Sequence, residues 1–484
     1  MTRQISATVL LIFTSLVLAS CSGVGSVCTN CGGGGNATVS FVLTATPPPP
    51  SSQLSIQAFT ATITGIKLTP STGSDFSVPL NSTTYITEFN RVTSDSTLLA
   101  AHVSVPAATY TQMTVTFSAP RVTFCTQPNP GVPGCTAGTL ASVSGSAGSV
   151  IVSTNLSLAA NQQIGIALNA NLGTSLTASG QTITAVNLNA ANTFTVNTLP
   201  PSSTQTDLAS GQLSHVDDVM GLVTAASSPT VTIQTSSRGS ITATANSSTQ
   251  YNCTSQSFSC VQLNTPAIMD VILNADGTFT LTFYEPLPFS SNDVIEGVVT
   301  SVPNSITNQF TIVATDSVFA GSGSLLNGQL KLGDQILVTA NAPNPFQIIS
   351  KGLLIPTGSA FENSNSVASI LPGQTIAFPA LSFVAQSGTT PGTTTAKDIA
   401  LRFTRITTSL ATASLPDFSG NATGFPPFFG IAINQQFRTT SGRLSLDGVS
   451  VLTSISAGST FSTSALYVGP PVAPQFAAQT VRAH

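Results

Sequence analysis

The stretch MDVILNADGTFTLTF, residues 269–283, decides how the chain is read. Apolar and polar residues alternate on both sides of Asp276-Gly277, so each flank reads as a half-buried strand and the Asp-Gly pair as the turn of a hairpin. Glycine at such a turn permits the positive φ that other residues resist. The same period of two extends outward through QMTVTFSAPRVTF (112–124) and TVTIQTSSRGSITATA (230–245), rich in β-branched Thr and Val. Helical spacing is hard to find anywhere past the N-terminal leader. Alternating strands broken by frequent Gly and Pro predict an all-β chain of sandwiches or small barrels.

A length of 484 residues with 41% hydrophobic content suffices for real cores in roughly three domains. Charged residues make up 6% of the chain, far below the usual quarter or so, so Ser, Thr, Asn and Gln must hydrate the surface. A net charge of -4 forms no basic patch, which argues against nucleic acid as a partner. NTLPPSSTQTD (197–207) reads as a linker stiffened by Pro200-Pro201, whereas TPPPPSSQ (46–53) reads as a loop inside the first domain. Beyond the linker, MGLVTAASSPTVTIQ (220–234) parallels EGVVTSVPNSITNQFTIVA (296–314). A second phrase recurs as LKLGDQILVTA (330–340), ILPGQTIAFPA (370–380) and LSLDGVSVLTS (444–454), placing a turn at Gly333, Gly373 or Gly448 before a strand. Repeats of this kind predict small β units in series. The expected architecture is an N-terminal β-sandwich over 37–200 and a linker over 201–212. Two or three small β-barrel or sandwich-like units follow, over 213–292, 293–405 and, in part, 406–484.

The N-terminus carries Arg3, an apolar run and small residues before Cys21, the pattern of a secretory leader over 1–20. Leu18-Ala19-Ser20-Cys21 resembles the lipobox of bacterial lipoproteins. The resemblance implies diacylglyceryl attachment at Cys21 and a mature chain tethered through residues 21–36. Ser22 stands where an aspartate commonly retains such proteins at the inner membrane, so the resemblance implies the outer membrane, facing the periplasm or the surface. The other six cysteines fall as local pairs: Cys28 with Cys31, Cys125 with Cys135, and Cys253 with Cys260. An exported chain meets an oxidising compartment, where such pairs close as disulfides. Cys28-Thr-Asn-Cys31 also admits a redox or half-zinc reading. The glycines at 32–35 disfavour the helix a redox motif opens, and tetrahedral zinc needs two further ligands. The expectation is therefore no metal and no cofactor.

ATITGIKLTPSTGSDFSVPLN (61–81) followed by LLAAHVSVPAATYTQMTVTFSAPRVTF (98–124) resembles the domain of unknown function family 4382 of bacterial envelope proteins, over roughly residues 38–200. Ala108 replaces the glycine of that family's Pro-Ala-Gly-x-Tyr-Thr turn. Residues from about 213 onward resemble tandem copies of the domain of unknown function family 5666. Neither family carries an established activity, so the resemblance implies architecture and not chemistry.

Catalytic candidates are few. Among His102, His215 and His484, the first lies in an alternating strand and the last ends the sequence. Ser214-His215-Val216-Asp217-Asp218 can be drawn as nucleophile, base and acid, or as part of a calcium site. Triads, however, join separated segments, and neighbours on a strand alternate faces. No catalytic residue is assigned. FPPFFG (425–430) marks a partner surface if exposed and a satellite core if buried, the reading preferred. The expectation is a membrane-anchored envelope lipoprotein with a non-catalytic structural or interaction role, as adhesin or scaffold, with envelope proteins or glycans as partners. The alternative is capture of carbohydrate or another nutrient, with Tyr110 and Tyr284 as aromatic candidates.

Overall fold

A computed structural model describes residues 35–484 apart from 129–133, 137, 203–207, 290, 302, 320, 322, 342–343, 356–357, 363, 415, 431–434, 440–444, 448–454 and 470–474. The leader, Cys21, Cys28 and Cys31 lie outside the described residues.

The chain is all-β. Its N-terminal domain is a sandwich, one layer of which orders its strands as Phe194–Leu199, Gln163–Asn171, Asn36–Thr46 and Thr97–Pro106. The two central strands of that layer run parallel. The facing layer is antiparallel and bends at a corner. Ser55–Ala61 passes through Thr62 into Ile63–Pro70, and Ala108–Phe117 passes through residues 118–120 into Arg121–Cys125. The alternation of QMTVTFSAPRVTF is thus two strands and not one. Pro120 has no N–H for a ladder, and the corner is stitched instead by Thr62 and Ser118. The Ser118 amide donates to the Thr62 carbonyl, and the Thr62 amide donates to Ser118 Oγ. Val39, Phe41 and Leu43 from one layer pack against Phe59, Met113 and Phe117 from the other.

The hairpin of residues 269–283 forms as expected, between Pro266–Asn274 and Phe279–Pro286. Its loop, residues 275–277, closes with Gly277 at φ 83°, the left-handed residue of a three-residue hairpin. These two strands belong to a closed barrel. Gln212–Ser227, Thr230–Gln234 and Ser240–Tyr251 follow one another, then Phe279–Pro286 runs parallel to the third, and Pro266–Asn274 closes on the first. Numbered along the chain, the order is 1-2-3-5-4-1.

The same wiring recurs twice. Val294–Val299, Gln309–Val318, Gln335–Ala340, Thr375–Val384 and Gly392–Ala396 pair in that order of connection, with the third and fifth parallel and the fourth closing on the first. Ala400–Ser414, Asp417–Gly420, Gln435–Thr439, Thr460–Tyr467 and Phe476–Ala483 repeat it again. Three five-stranded Greek-key barrels, of the general kind seen in OB-folds, therefore follow the sandwich. The expected boundary between 405 and 406 falls inside the first strand of the third barrel. That strand's N-terminal end also pairs with the second barrel, Arg402 opposite Thr375.

Gly221 and Gly297, the shared glycine of the first repeat, occupy equivalent places in opening strands. A Cβ on Gly221 would stand 2.5 Å from the Gln234 carbonyl oxygen, and one on Gly297 would stand 2.6 Å from that of Val313. The second repeat marks something different. Gly333 and Gly373 both have positive φ before a strand, but those strands are the third and fourth of one barrel. Gly448 lies outside the described residues.

Candidate functional site

The sandwich and the three barrels meet around a buried cluster of charge. Its pivot is Asp218, on a bulge of Gln212–Ser227 where the register shifts between Val216 and Val219. Asp218 takes φ 56°, a left-handed conformation that Asp tolerates better than most residues. It accepts from Arg402 Nη2 at 2.6 Å, Arg405 Nη2 at 2.9 Å and Arg91 Nη2 at 3.1 Å. Arg402 also donates from Nε to Glu296 at 2.9 Å, and Arg91 reaches Asp316 and Glu296. Lys351 Nζ, fully buried, contacts Asp270 and Gln479. Arg238 bonds Asp95 and the Asp217 carbonyl, and Arg482 donates to the carbonyls of Val92 and Asp95.

Each unit contributes. Arg91 and Asp95 come from the sandwich, Asp218, Arg238 and Asp270 from the first barrel, Glu296, Asp316 and Lys351 from the second, and Arg402, Arg405 and Arg482 from the third. Burial alone would push the Asp218 carboxyl up, but Arg402, Lys351, Arg405 and Arg91 together hold it well below the usual carboxylate range. Burial dominates at three other acids. Asp217 is pushed up to about 7, with repulsion from Asp270 adding to burial, and Glu88 and Glu285 are also pushed up to about 7.

Sequence reasoning singled out Asp217 and Asp218 but gave them the wrong company. It passed over Arg91, Asp270, Glu296, Lys351 and Arg402. The usable signal was one or two charges inside an otherwise apolar strand, as in AIMDVILN (267–274), DVIEGVV (293–299) and ALRFTRI (400–406).

A cavity of about 310 Å³ lies beside this cluster, between the sandwich and the first and third barrels. Ser214, His215 and Asp217 all line it, with Asp95, Arg482 and His484. Flat-strand alternation would set only Ser214 apart from His215 and Asp217, yet all three reach the cavity wall. Ser214 Oγ bonds Ser96 Oγ and the His215 carbonyl, both at 3.1 Å, and Asp217 accepts from Thr480 at 3.4 Å. Among the described residues no group of three or more His, Cys, Asp or Glu is placed to hold a metal ion. His102, at φ 56°, faces the Asp276 carbonyl through Nδ1, which seats the first barrel's hairpin loop on the sandwich. His484 Nε2 lies 2.9 Å from Ser462 Oγ.

Tyr110 and Tyr284 are both buried, which corrects their candidacy as a sugar platform. Tyr110 donates to the Pro106 carbonyl at 2.8 Å, locking the hairpin turn over 106–108. FPPFFG is a satellite core and not an exposed patch. Phe425, Phe428 and Phe429 are buried in a cluster that includes Phe437 and Phe476, stacked at 4.8 Å. Cys125 bonds Cys135, and Cys253 bonds Cys260. The first disulfide sits in the same aromatic core, where the Gly134 amide donates to the Phe428 carbonyl and the Cys135 amide to that of Thr300. It thereby ties a sandwich loop to the second and third barrels.

No family model matches the chain, and no curated protein matches it.

Proposed function

We propose that this chain is a lipid-anchored cell-envelope protein with a non-catalytic structural or interaction role, held to the membrane through Cys21. The observation that supports the role is the shared charge cluster. Four β units linked only by peptide would swing independently, whereas units joined through Asp218 and its partners present their outer faces in a fixed arrangement, as a scaffold or adhesin requires. The lipobox resemblance supports the anchor, and the resemblance to the envelope-protein family 4382 supports the compartment. Photo-crosslinking from exposed strand positions in intact cells tests the role. Discrete adducts that are lost in Asp218→Asn support it, and adducts indifferent to that change count against it. Acyl labelling that survives Cys21→Ser would remove the anchor.

The 310 Å³ cavity favours a second reading, capture of a small polar ligand. Its wall offers Asn169, Ser214, Thr480 and Arg482 but no Tyr or Phe, so a sugar would be held by hydrogen bonds without ring stacking. Saturation-transfer NMR with neutral monosaccharides separates the two readings.

A further inference from the structure

Lys351 stands in a turn at φ 52°, a left-handed conformation that is costly for a long side chain and persists where the surroundings impose it. Its side chain is fully excluded from solvent. Nζ donates to Asp270 Oδ1 and, at 3.1 Å, to Gln479 Oε1, and it lies 5.5 Å from the centre of the Phe403 ring. Asp270 belongs to a different unit. Met269 and Val271 on either side of it are core residues of the first barrel, so Asp270 points out of that barrel. Ile268, on the same outward face, packs with Val294 and Ile349 of the second barrel. The pair thus bridges two barrels.

Three further groups surround the Asp270 carboxyl. The Asp218 amide donates to Oδ1 at 2.7 Å and Gln479 Nε2 donates to Oδ2 at 3.3 Å, so both oxygens are polarised. Glu285 pairs opposite Ile268 and therefore shares the outward face with Asp270. Burial pushes the Glu285 carboxyl up to about 7, and the Lys351 side chain and backbone amide both act on it. Its Oε1 accepts from Asn252 at 2.8 Å, whereas Oε2 is buried without a hydrogen-bond partner.

A primary amine held against a carboxyl in a solvent-excluded site, with a protonated acid on the same face, has what amide formation requires. Fixed proximity replaces a bimolecular encounter, and exclusion of water suppresses the reverse hydrolysis. The product also replaces two buried ions, each costly to desolvate, with one neutral group. Asp218 Oδ1, 4.0 Å from Nζ, is the poorer acyl donor, because Arg91, Arg402 and Arg405 hold it as a carboxylate.

We propose that Lys351 and Asp270 condense into an isopeptide bond that joins the first barrel covalently to the second. The bond formed is Nζ–Cγ and the bond broken is Cγ–Oδ2. Nζ begins with three protons and ends with one. The other two leave with Oδ2 as water, relayed by Glu285, which ends as it began. One cation and one anion become a neutral amide, and no oxidant, reductant or cofactor is consumed. The cross-link stands or falls independently of the anchor and of the scaffold role.

Mass spectrometry of the full purified chain, reduced and denatured, tests the proposal. A mass one water below that of the uncondensed chain is expected, with Lys351 and Asp270 recovered in a single branched peptide after digestion. Lys351→Arg is expected to abolish both signs, and the reading is made on denatured chain whether or not the variant folds. Glu285→Gln, at unchanged circular dichroism, is expected to slow appearance of the branched peptide at least about a hundredfold. Recovery of Lys351 and Asp270 from the wild type in separate linear peptides would overturn the proposal and leave a plain ion pair. A deficit of one ammonia, with Lys351 joined to Gln479, would overturn the choice of Asp270, and an unchanged rate in Glu285→Gln would overturn its part as proton relay.

Discussion

Asp218 Oδ1 and Arg402 Nη2 lie 2.6 Å apart across 184 residues of sequence, both side chains almost fully excluded from solvent. This contact joins the first barrel to the third, and Arg402 continues to Glu296 of the second. Removing one partner of a buried ion pair strands the other's charge, at a cost of about 3–5 kcal/mol. Asp218→Ala should destabilise by at least that much in urea unfolding. The exposed pair Arg438–Asp417, at 2.8 Å, is the internal control: Arg438→Ala should change stability by less than about 1 kcal/mol.

The pH dependence follows from the three raised acids. Glu88, Asp217 and Glu285 titrate at about 7 when folded, against ordinary values of 4.5, 3.8 and 4.5. Between those limits the folded chain holds more protons than the unfolded one. Their contribution is therefore fully present below the unfolded values and is lost as pH rises through 7. Asp218, held low, works in the opposite sense: its contribution is present above 3.8 and is lost as pH falls through its depressed folded value. Stability should fall between about pH 5 and pH 7 and level off above that, with a slope of up to about 1.4 kcal/mol per unit for each proton. Glu285→Gln should flatten that slope by one proton's share in pH-dependent denaturation.

The glycines of the barrels' opening strands should resist substitution. Gly221→Ala and Gly297→Ala each place a Cβ within 2.6 Å of a carbonyl oxygen of the paired strand. Gly373→Ala adds a clash 2.5 Å from the Phe429 ring to a φ of 90°. Each should lower the melting temperature by several degrees, corresponding to roughly 1–3 kcal/mol. Gly388→Ala, whose Cβ would meet nothing within 4 Å, should cost less despite its positive φ.

The disulfide in the aromatic core should matter to stability. Replacing Cys125 and Cys135 with serine should cost about 2–3 kcal/mol, read by denaturation. Alkylation of the native chain with a thiol reagent should leave Cys125, Cys135, Cys253 and Cys260 unlabelled.

Much of the fold was legible because it is written locally. Asp276-Gly277 fixes a hairpin through φ alone, and Gly221 with Gly297 marks two opening strands because both need the same close approach. FPPFFG was legible as a buried satellite core, but not which residues it packs against, since Phe437 and Phe476 come from distant strands. The charge cluster was least legible. Its members are scattered among strands, turns and loops far apart in sequence, no spacing links Arg91 to Asp316 or Lys351 to Asp270, and the bulge that turns Asp218 inward has no sequence marker beyond the Asp217-Asp218 pair. The boundary near 405 was misplaced for a related reason, because Ala400–Ser414 belongs to one barrel while its first residues pair with another.

Hydrogen-exchange mass spectrometry of the wild type and Asp218→Asn measures whether the four β units hold one another through this cluster. Faster exchange is expected together in the turn Arg91–Thr93 and in the strands Gln212–Ser227, Val294–Val299 and Ala400–Ser414, one from each unit. Acceleration confined to Gln212–Ser227, with the other three unchanged, would show that the units stand without it.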